Sequence, residues 1–329
     1  MVNWYLSGSK CKYHYICFMK LILTFFFILI LHVGIGQIPN GYYDSAIGYL
    51  GEPLKTQLNL IIKNHTEFPY TSSGIDVWDI LKVTDRDTLN PNNVLLLYSG
   101  WSKDANLEYN SGNGWSREHV WAKSRGNFGT SSGAGTDVHA LRPCDISVNS
   151  ARNNRWFAEC STEYIDTDGP TGSYKSSSQW IWKPNDAVKG DVARMIFYMA
   201  TRYEGEGLEP DLEVIDSIPS NNNTNLPIHA KLSDLMKWHL EDTVDDWERN
   251  RNNIIYYNYQ NNRNPFIDHP EYAQLIWGTF TGIGVNESSP KTKKLIKILD
   301  IEGRETTPQK NKVLIYIYSD GSIEKVFKI

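Results

Sequence analysis

The chain reads REHVW at residues 117–121, DVHALRP at residues 137–143 and VNSARNNRWF at residues 148–157. The first block places a carboxylate beside an imidazole, and the third places a carboxamide and two arginines on a predicted helix. Carboxylate and amide oxygens bind hard cations, an imidazole accepts protons near neutral pH, and guanidinium groups bind phosphate. The three blocks therefore indicate a site that holds one cation, activates one water and grips a phosphodiester.

Each candidate residue has a role that follows from its chemistry. His119 is the predicted general base, and Glu118 is a predicted ligand of Mg²⁺, with Ca²⁺ or Mn²⁺ as alternatives. Asn149 offers a carbonyl oxygen to the same ion. Arg152, a predicted catalytic residue, shares one face of the predicted helix with Asn149, Asn153 and Trp156. The predicted substrate-binding residues are Arg117, Arg125, Arg142 and Arg155.

The same residues also have structural interpretations. Asn149 could be a buried amide with all its hydrogen bonds satisfied, and Arg142 and Arg155 could pair with Asp145 and Glu159. A further constraint concerns the adjacent Glu-His pair, because neighbouring residues on a regular strand point to opposite faces. We expect the backbone to leave strand geometry at this pair, or the pair to lie at the end of a strand.

These blocks resemble the endonuclease I family, which comprises secreted bacterial nucleases with a ββα-metal (His-Me finger) active site. A second block, NNRNPFIDHPE at residues 261–271, is also similar to this family and follows in the same order. The resemblance implies an α+β fold with a His-Me finger core in a mainly helical body. It also implies that the positions matching His119, Glu118 and Asn149 serve as base, metal ligand and metal ligand.

The function implied by this resemblance is a divalent-metal-dependent, non-specific endonuclease that hydrolyses DNA to 5′-phosphate products. RNA is an open second substrate. Two alternatives remain: a phosphodiesterase acting on small diesters, and a surface nucleic-acid-binding protein without cleavage. We expect a monomer.

Charge is distributed unevenly along the chain, whose formal net charge is −5. Residues 1–36 carry three Lys and no acid, residues 291–329 have a net charge of +4, and the body between them has −12. A protein that binds nucleic acid through a broad basic face would not show this distribution. The cations concentrated at residues 115–160 instead predict binding in a cleft.

Both ends of the chain indicate export. Lys20 precedes an apolar run at residues 21–33, which suits a signal peptide cleaved after Gly36 and is too short for comfortable membrane spanning. We therefore expect a signal peptide at residues 1–36, with Met19 as an alternative start, and a secreted or cell-surface protein. A retained membrane anchor is the alternative.

The remainder divides into a catalytic domain (37–282), a linker (283–290) and a small C-terminal β domain (291–329). That β domain is similar to sorting domains of type IX secretion, which implies the secretion machinery as a partner, and an accessory β-hairpin domain is the alternative. After export, Cys144 and Cys160 remain, and an even count in a secreted protein suggests a disulfide. Two buried thiols are the other interpretation.

Periodicity predicts the remaining elements of the catalytic domain. Helices are predicted at residues 46–63, 78–83, 188–203, 231–250 and 273–277, and strands at residues 94–98 and 137–141.

Overall fold

The computed structural model describes residues 38–220, 225–278, 295–300, 304–309, 312–318 and 323–328. The chain forms two compact units that divide after Gly278. The predicted signal peptide and linker lie outside the described residues. None of the helices in the described part of the chain is long and apolar enough to span a membrane.

The first unit combines helices with several small sheets, which confirms the α+β prediction. Its helices are α1 (Gly51–Ile62), α2 (Val77–Thr84), α3 (Ile146–Arg152), α4 (Lys189–Arg202), α5 (Leu232–Glu241), α6 (Asp246–Ile255), α7 (Pro265–Asp268) and α8 (Glu271–Trp277). Its strands are β1 (Asn93–Leu95), β2 (Ser102–Asp104), β3 (Trp115–His119), β4 (Leu141–Asp145), β5 (Trp156–Phe157), β6 (Glu163–Asp166), β7 (Gly169–Ser176), β8 (Ile181–Lys183), β9 (Glu213–Ile215) and β10 (Ile228–Lys231).

Helix α4 forms the centre of this unit, since every one of its residues is buried. The structure confirms the helix predicted at residues 188–203, which runs from Lys189 to Arg202. Its Val192 and Ile196 share one apolar cluster with Leu54 and Leu58 of α1. Each such side chain contributes about 1.5–3 kcal/mol when removed from water.

Strands β3 and β4 pair antiparallel, with Trp115 opposite Asp145 and His119 opposite Leu141. Helix α3 follows β4 directly, because the Asp145 carboxylate caps it by accepting hydrogen bonds from the backbone of Ser147 and Val148. Two strands and a helix thus form one continuous unit, β3–β4–α3.

The strand predicted at residues 137–141 is wrong, since residues 137–140 form a turn and β4 begins at Leu141. Buried Asp137 accepts hydrogen bonds from the hydroxyls of Tyr198 (2.7 Å) and Tyr203 (2.9 Å), which hold the backbone in the turn. Helix α3 ends at Arg152, because Asn153 adopts a φ of 55°. Trp156 therefore lies in β5 and not on the predicted helical face.

The other elements differ mainly in their bounds. The helix predicted at residues 46–63 begins at Gly51, and the one predicted at residues 231–250 is two helices, α5 and α6. Asp245 separates them by capping α6 through the backbone of Glu248. In the second unit, β11 (Leu295–Leu299), β12 (Lys312–Tyr318) and β13 (Ile323–Lys328) form an antiparallel sheet in that order.

Cys144 and Cys160, the two cysteines of the described residues, are free thiols, so the candidate disulfide is not formed in this structure. Cys144 belongs to the main apolar core, whereas Cys160 packs against a separate cluster that contains Trp156 and Ile181. Burial raises the pKa of the Cys144 thiol well above its ordinary value.

Residues 262–267 of the second block are buried. Asn262 donates to the Ile62 carbonyl (3.0 Å) and the Tyr198 hydroxyl (2.8 Å), and Asn264 donates to the Arg194 carbonyl (3.1 Å). These bonds satisfy buried polar groups and hold α1 and α4 together. The block stabilises the body that carries the site.

Candidate active site

A cavity of about 330 Å³ lies beside the end of β3 and one face of α3. It is lined by Glu118, His119, Asn149 and Arg152, so the structure brings the four central predicted residues together. Adjacent Glu118 and His119 both reach it because His119 is the last residue of β3. The strand-end alternative is therefore the one that the structure shows.

The His119 imidazole is held in one orientation. Its Nε2 lies 3.0 Å from the Gly135 carbonyl oxygen, and its ring stacks on Tyr70 with a centroid distance of 5.6 Å. A carbonyl can only accept, so Nε2 carries the hydrogen and Nδ1 carries the lone pair. Burial lowers the pKa of His119 to about 3 against the opposing effect of the Gly135 hydrogen bond. The side chain is thus a neutral imidazole.

The Glu118 carboxylate is buried and oriented by two donors. Its Oε1 accepts a hydrogen bond from the Tyr98 hydroxyl at 2.7 Å and lies 3.1 Å from Arg152 Nη1. Burial raises the pKa of Glu118, while the Arg152 charge and the Tyr98 hydrogen bond lower it. The carboxylate is consequently fixed through Oε1, and Oε2 is the oxygen that could bind a cation.

Asn149 completes an oxygen pair with Glu118. Its Nδ2 donates to Ser116 Oγ at 3.0 Å, and its Oδ1 is the oxygen that could bind the same cation. No cluster of three or more His, Cys, Asp or Glu side chains suited to a metal occurs among the described residues. The donor set still fits Mg²⁺, which prefers oxygen, keeps several waters and takes one or two protein ligands.

Arg152 lies in the cavity wall and is buried, with 1% of its surface exposed. Besides Glu118, its guanidinium donates to the carbonyls of His119 (3.1 Å) and Val120 (2.6 Å) and to His229 Nε2 (2.9 Å). These partners engage the nitrogens that would contact phosphate. We therefore treat Arg152 as a positioning residue and not as the predicted catalytic residue.

The predicted substrate-binding arginines do not all reach this cavity. Arg117 lines it and stacks over the rings of Tyr70 (3.4 Å) and Trp78 (4.1 Å). Arg125, in contrast, is fully buried, donates to the Asn154 carbonyl, and has its pKa lowered by burial to about 9.

Arg142 and Arg155 are also buried outside the cavity lining, and neither forms the ion pair of its alternative interpretation, with Asp145 or Glu159. Arg142 contacts Asp85 and Asp191, and Arg155 donates to the Ala151 carbonyl (2.7 Å). A buried guanidinium needs protein partners, which sequence spacing did not identify. We leave Arg125, Arg142 and Arg155 out of the set that contacts phosphate.

Two residues at the candidate site were not predicted from the sequence. Lys123 lines the cavity, is exposed, and has no hydrogen bond or ion pair within the described part of the chain. In the sequence, Lys123 is only one of several cations at residues 115–160. Tyr98 orients Glu118 from 20 residues away, and only tertiary structure brings the two together.

A ββα unit carrying a carboxylate, a neutral imidazole and a carboxamide on one cavity is an arrangement suited to metal-assisted phosphodiester hydrolysis. The chain matches the Endonuclease I family model over residues 50–271. It is also 52% identical over 236 residues to an extracellular ribonuclease of Bacillus subtilis (strain 168), covering 72% of this chain and 78% of that protein. An extracellular ribonuclease of Bacillus amyloliquefaciens is 51% identical with the same coverage. The protein belongs to the Endonuclease I family and is a nuclease, as the sequence predicted.

Proposed function

We propose that the protein is an extracellular, divalent-metal-dependent, non-specific endonuclease that cleaves RNA and DNA to products with 5′-phosphates. The convergence of Glu118, His119 and Asn149 on one cavity carries this proposal. Their placement at the end of β3 and on α3 supports a His-Me finger. The names of the two relatives support RNA as a substrate and an extracellular location.

In the proposed reaction, His119 Nδ1 takes a proton from a water that attacks phosphorus in line with the departing 3′ oxygen. Glu118 Oε2 and Asn149 Oδ1 would hold a divalent cation, which offsets negative charge at phosphorus and at the leaving oxygen. Lys123 and Arg117 bind neighbouring phosphates. Because the nucleophile is water, the 2′-hydroxyl is not needed, so DNA is cleaved as well as RNA.

Export by the segment at residues 1–36 and a sorting role for the C-terminal β unit remain proposals that accompany this function. The antiparallel sheet β11–β13 is compatible with an accessory unit of either kind, because fold alone does not define function. A monomer remains our expectation.

Cleavage of supercoiled plasmid and of a long RNA tests the function, with Mg²⁺ or EDTA, for the wild type and His119→Ala. His269→Ala is the matched control, because His269 is a partly exposed histidine that pairs with Glu271. We expect cleavage to require both metal and His119, with RNA products ending in 5′-phosphate. No cleavage by folded protein would favour the small-diester enzyme, and DNA retention without cutting would favour the binding protein.

A further inference from the structure

A half-buried tryptophan lies one hydrogen bond from the active-site cavity. Asn154 lines the cavity, and its Oδ1 accepts a hydrogen bond of 2.8 Å from Trp180 Nε1. Trp180 is the last residue of the turn between β7 and β8, after the exposed residues 177–179. A substrate strand that left the cavity past Asn154 would therefore meet the indole.

The Trp180 backbone is in an unfavourable conformation, with a φ of +58°. Glycine or asparagine adopts this region readily, whereas a bulky side chain is strained there. Such strain persists where the surrounding structure enforces it, and it clusters at ligand-binding sites. A tryptophan at this turn therefore points to a use for the indole itself.

The indole is covered in part, because Arg155 lies over its ring and the side chain also packs against the apolar cluster of Trp156, Ala158 and Ile181. The Arg155 guanidinium lies 3.8 Å from the ring centroid and is itself 7% exposed, so it forms a buried support beneath Trp180. The indole is nevertheless only half-buried, so part of it stays exposed. A flat aromatic surface beside a phosphodiester site is suited to stacking with a nucleobase.

Charge around the cavity favours a single strand over a duplex. Of the cations that line it, Arg152 is buried, Arg117 is partly buried and stacked, and Lys123 is exposed. The body at residues 37–290 has a net charge of −12, which opposes a long, rigid polyanion. Bases in a duplex are already stacked and cannot reach an indole.

We propose that Trp180, supported by Arg155, is a stacking subsite for an unpaired base, which makes single-stranded nucleic acid the preferred substrate. This inference rests on the proposed function. It assigns a binding role to Trp180 and no role in the chemical step.

The test measures fluorescence anisotropy of a labelled 12-nucleotide single strand and its duplex with Mg²⁺, in a His119→Ala background. Adding Trp180→Ala should raise Kd for the single strand by roughly 5- to 100-fold, the effect of one base–aromatic stack. Kd for the duplex should stay almost unchanged, and Trp180→Phe should restore most of the single-strand affinity. The matched control is Trp247→Ala, because Trp247 is also half-buried with an arginine, Arg142, over its ring at 4.4 Å.

In a second experiment Trp180 is kept, and the nucleotides of the single strand are replaced one at a time by an abasic nucleotide. We expect the abasic replacement at one position to raise Kd by the same factor as Trp180→Ala does. In the Trp180→Ala background, the replacement at that position should not raise Kd further. Equal losses on single strand, duplex and abasic strands would overturn the subsite, as would no loss at all. Cleavage by His119→Ala itself would instead refute the proposed function, so the two failures are distinguishable.

Discussion

Arg152 Nη1 lies 3.1 Å from Glu118 Oε1, and both side chains are almost completely buried. The same guanidinium donates to the His119 carbonyl, so one cation holds the proposed metal ligand and the backbone of the proposed base. Because neither charge is hydrated, each depends on the other to remain in the interior.

Arg152→Ala should therefore destabilise the protein by about 3–5 kcal/mol, since it leaves the Glu118 carboxylate buried without its partner. Urea denaturation measures this loss. In the Glu118→Gln background the same substitution should cost less, because no buried charge is left unpaired. Arg249→Ala removes an exposed arginine that pairs with Asp246 and should change stability little. An Arg152→Ala protein as stable as the wild type would show that Arg152 does not stabilise the buried Glu118 carboxylate.

Glu118→Gln should keep the fold but reduce cleavage at least about 100-fold, because the amide oxygen still accepts from Tyr98 while the anionic ligand is lost. The Mg²⁺ concentration for half-maximal activity should rise, which a metal titration measures. Glu159→Gln alters a carboxylate that pairs with Lys237 outside the cavity lining and should behave as wild type. Unchanged Mg²⁺ dependence in Glu118→Gln would remove Glu118 from the metal site.

Lys123→Ala should weaken binding of oligonucleotides and reduce the salt slope of log K by roughly 1, the effect of losing one phosphate contact. Hydrolysis of a small diester should be spared, because that substrate carries no neighbouring phosphate. Affinity measured across a series of salt concentrations checks both statements. Lys237→Ala is the control, since Lys237 is exposed and pairs with Glu159 and Glu241. Identical salt slopes for the two variants would exclude a phosphate contact at Lys123.

The free energy of unfolding should fall in mild acid. Burial lowers the pKa of His139 from 6.5 to about 4, so the unfolded chain binds more protons than the folded protein between these values. Stability is then fully present above about pH 6.5 and is lost as pH falls towards 4, by roughly 3 kcal/mol for this one group.

Urea denaturation at several pH values between 4 and 8 measures this slope. His139→Gln removes the titrating group but keeps a donor for the Asn262 carbonyl, so its slope should be shallower. His269→Gln changes a partly exposed histidine and should leave the slope as in the wild type. A wild-type stability that is constant across the window would show that His139 does not act in this way.

The residues that carry the proposed chemistry were identifiable from the sequence, because each type has few chemical uses and the blocks occur in one order. Glu118, His119 and Asn149 were chosen on that basis, and the structure places all three on one cavity. The arginines were not separable in this way, since guanidinium groups bind phosphate, carboxylate and carbonyl oxygens alike in proteins. Only burial and hydrogen-bond partners show that Arg152 is held inside the protein and that Lys123 is an exposed cation.

By itself, the sequence determined the family and the α+β class and proposed the central site residues, because local motifs and periodicity encode these directly. Tertiary structure alone decided which nitrogen of His119 is free, since Gly135 approaches through the loop between β3 and β4. It likewise decided that Cys144 and Cys160 pack in different clusters and that Trp180 lies beside the cavity. These are contacts between residues distant in sequence, and their partners are set by how the helices and sheets pack.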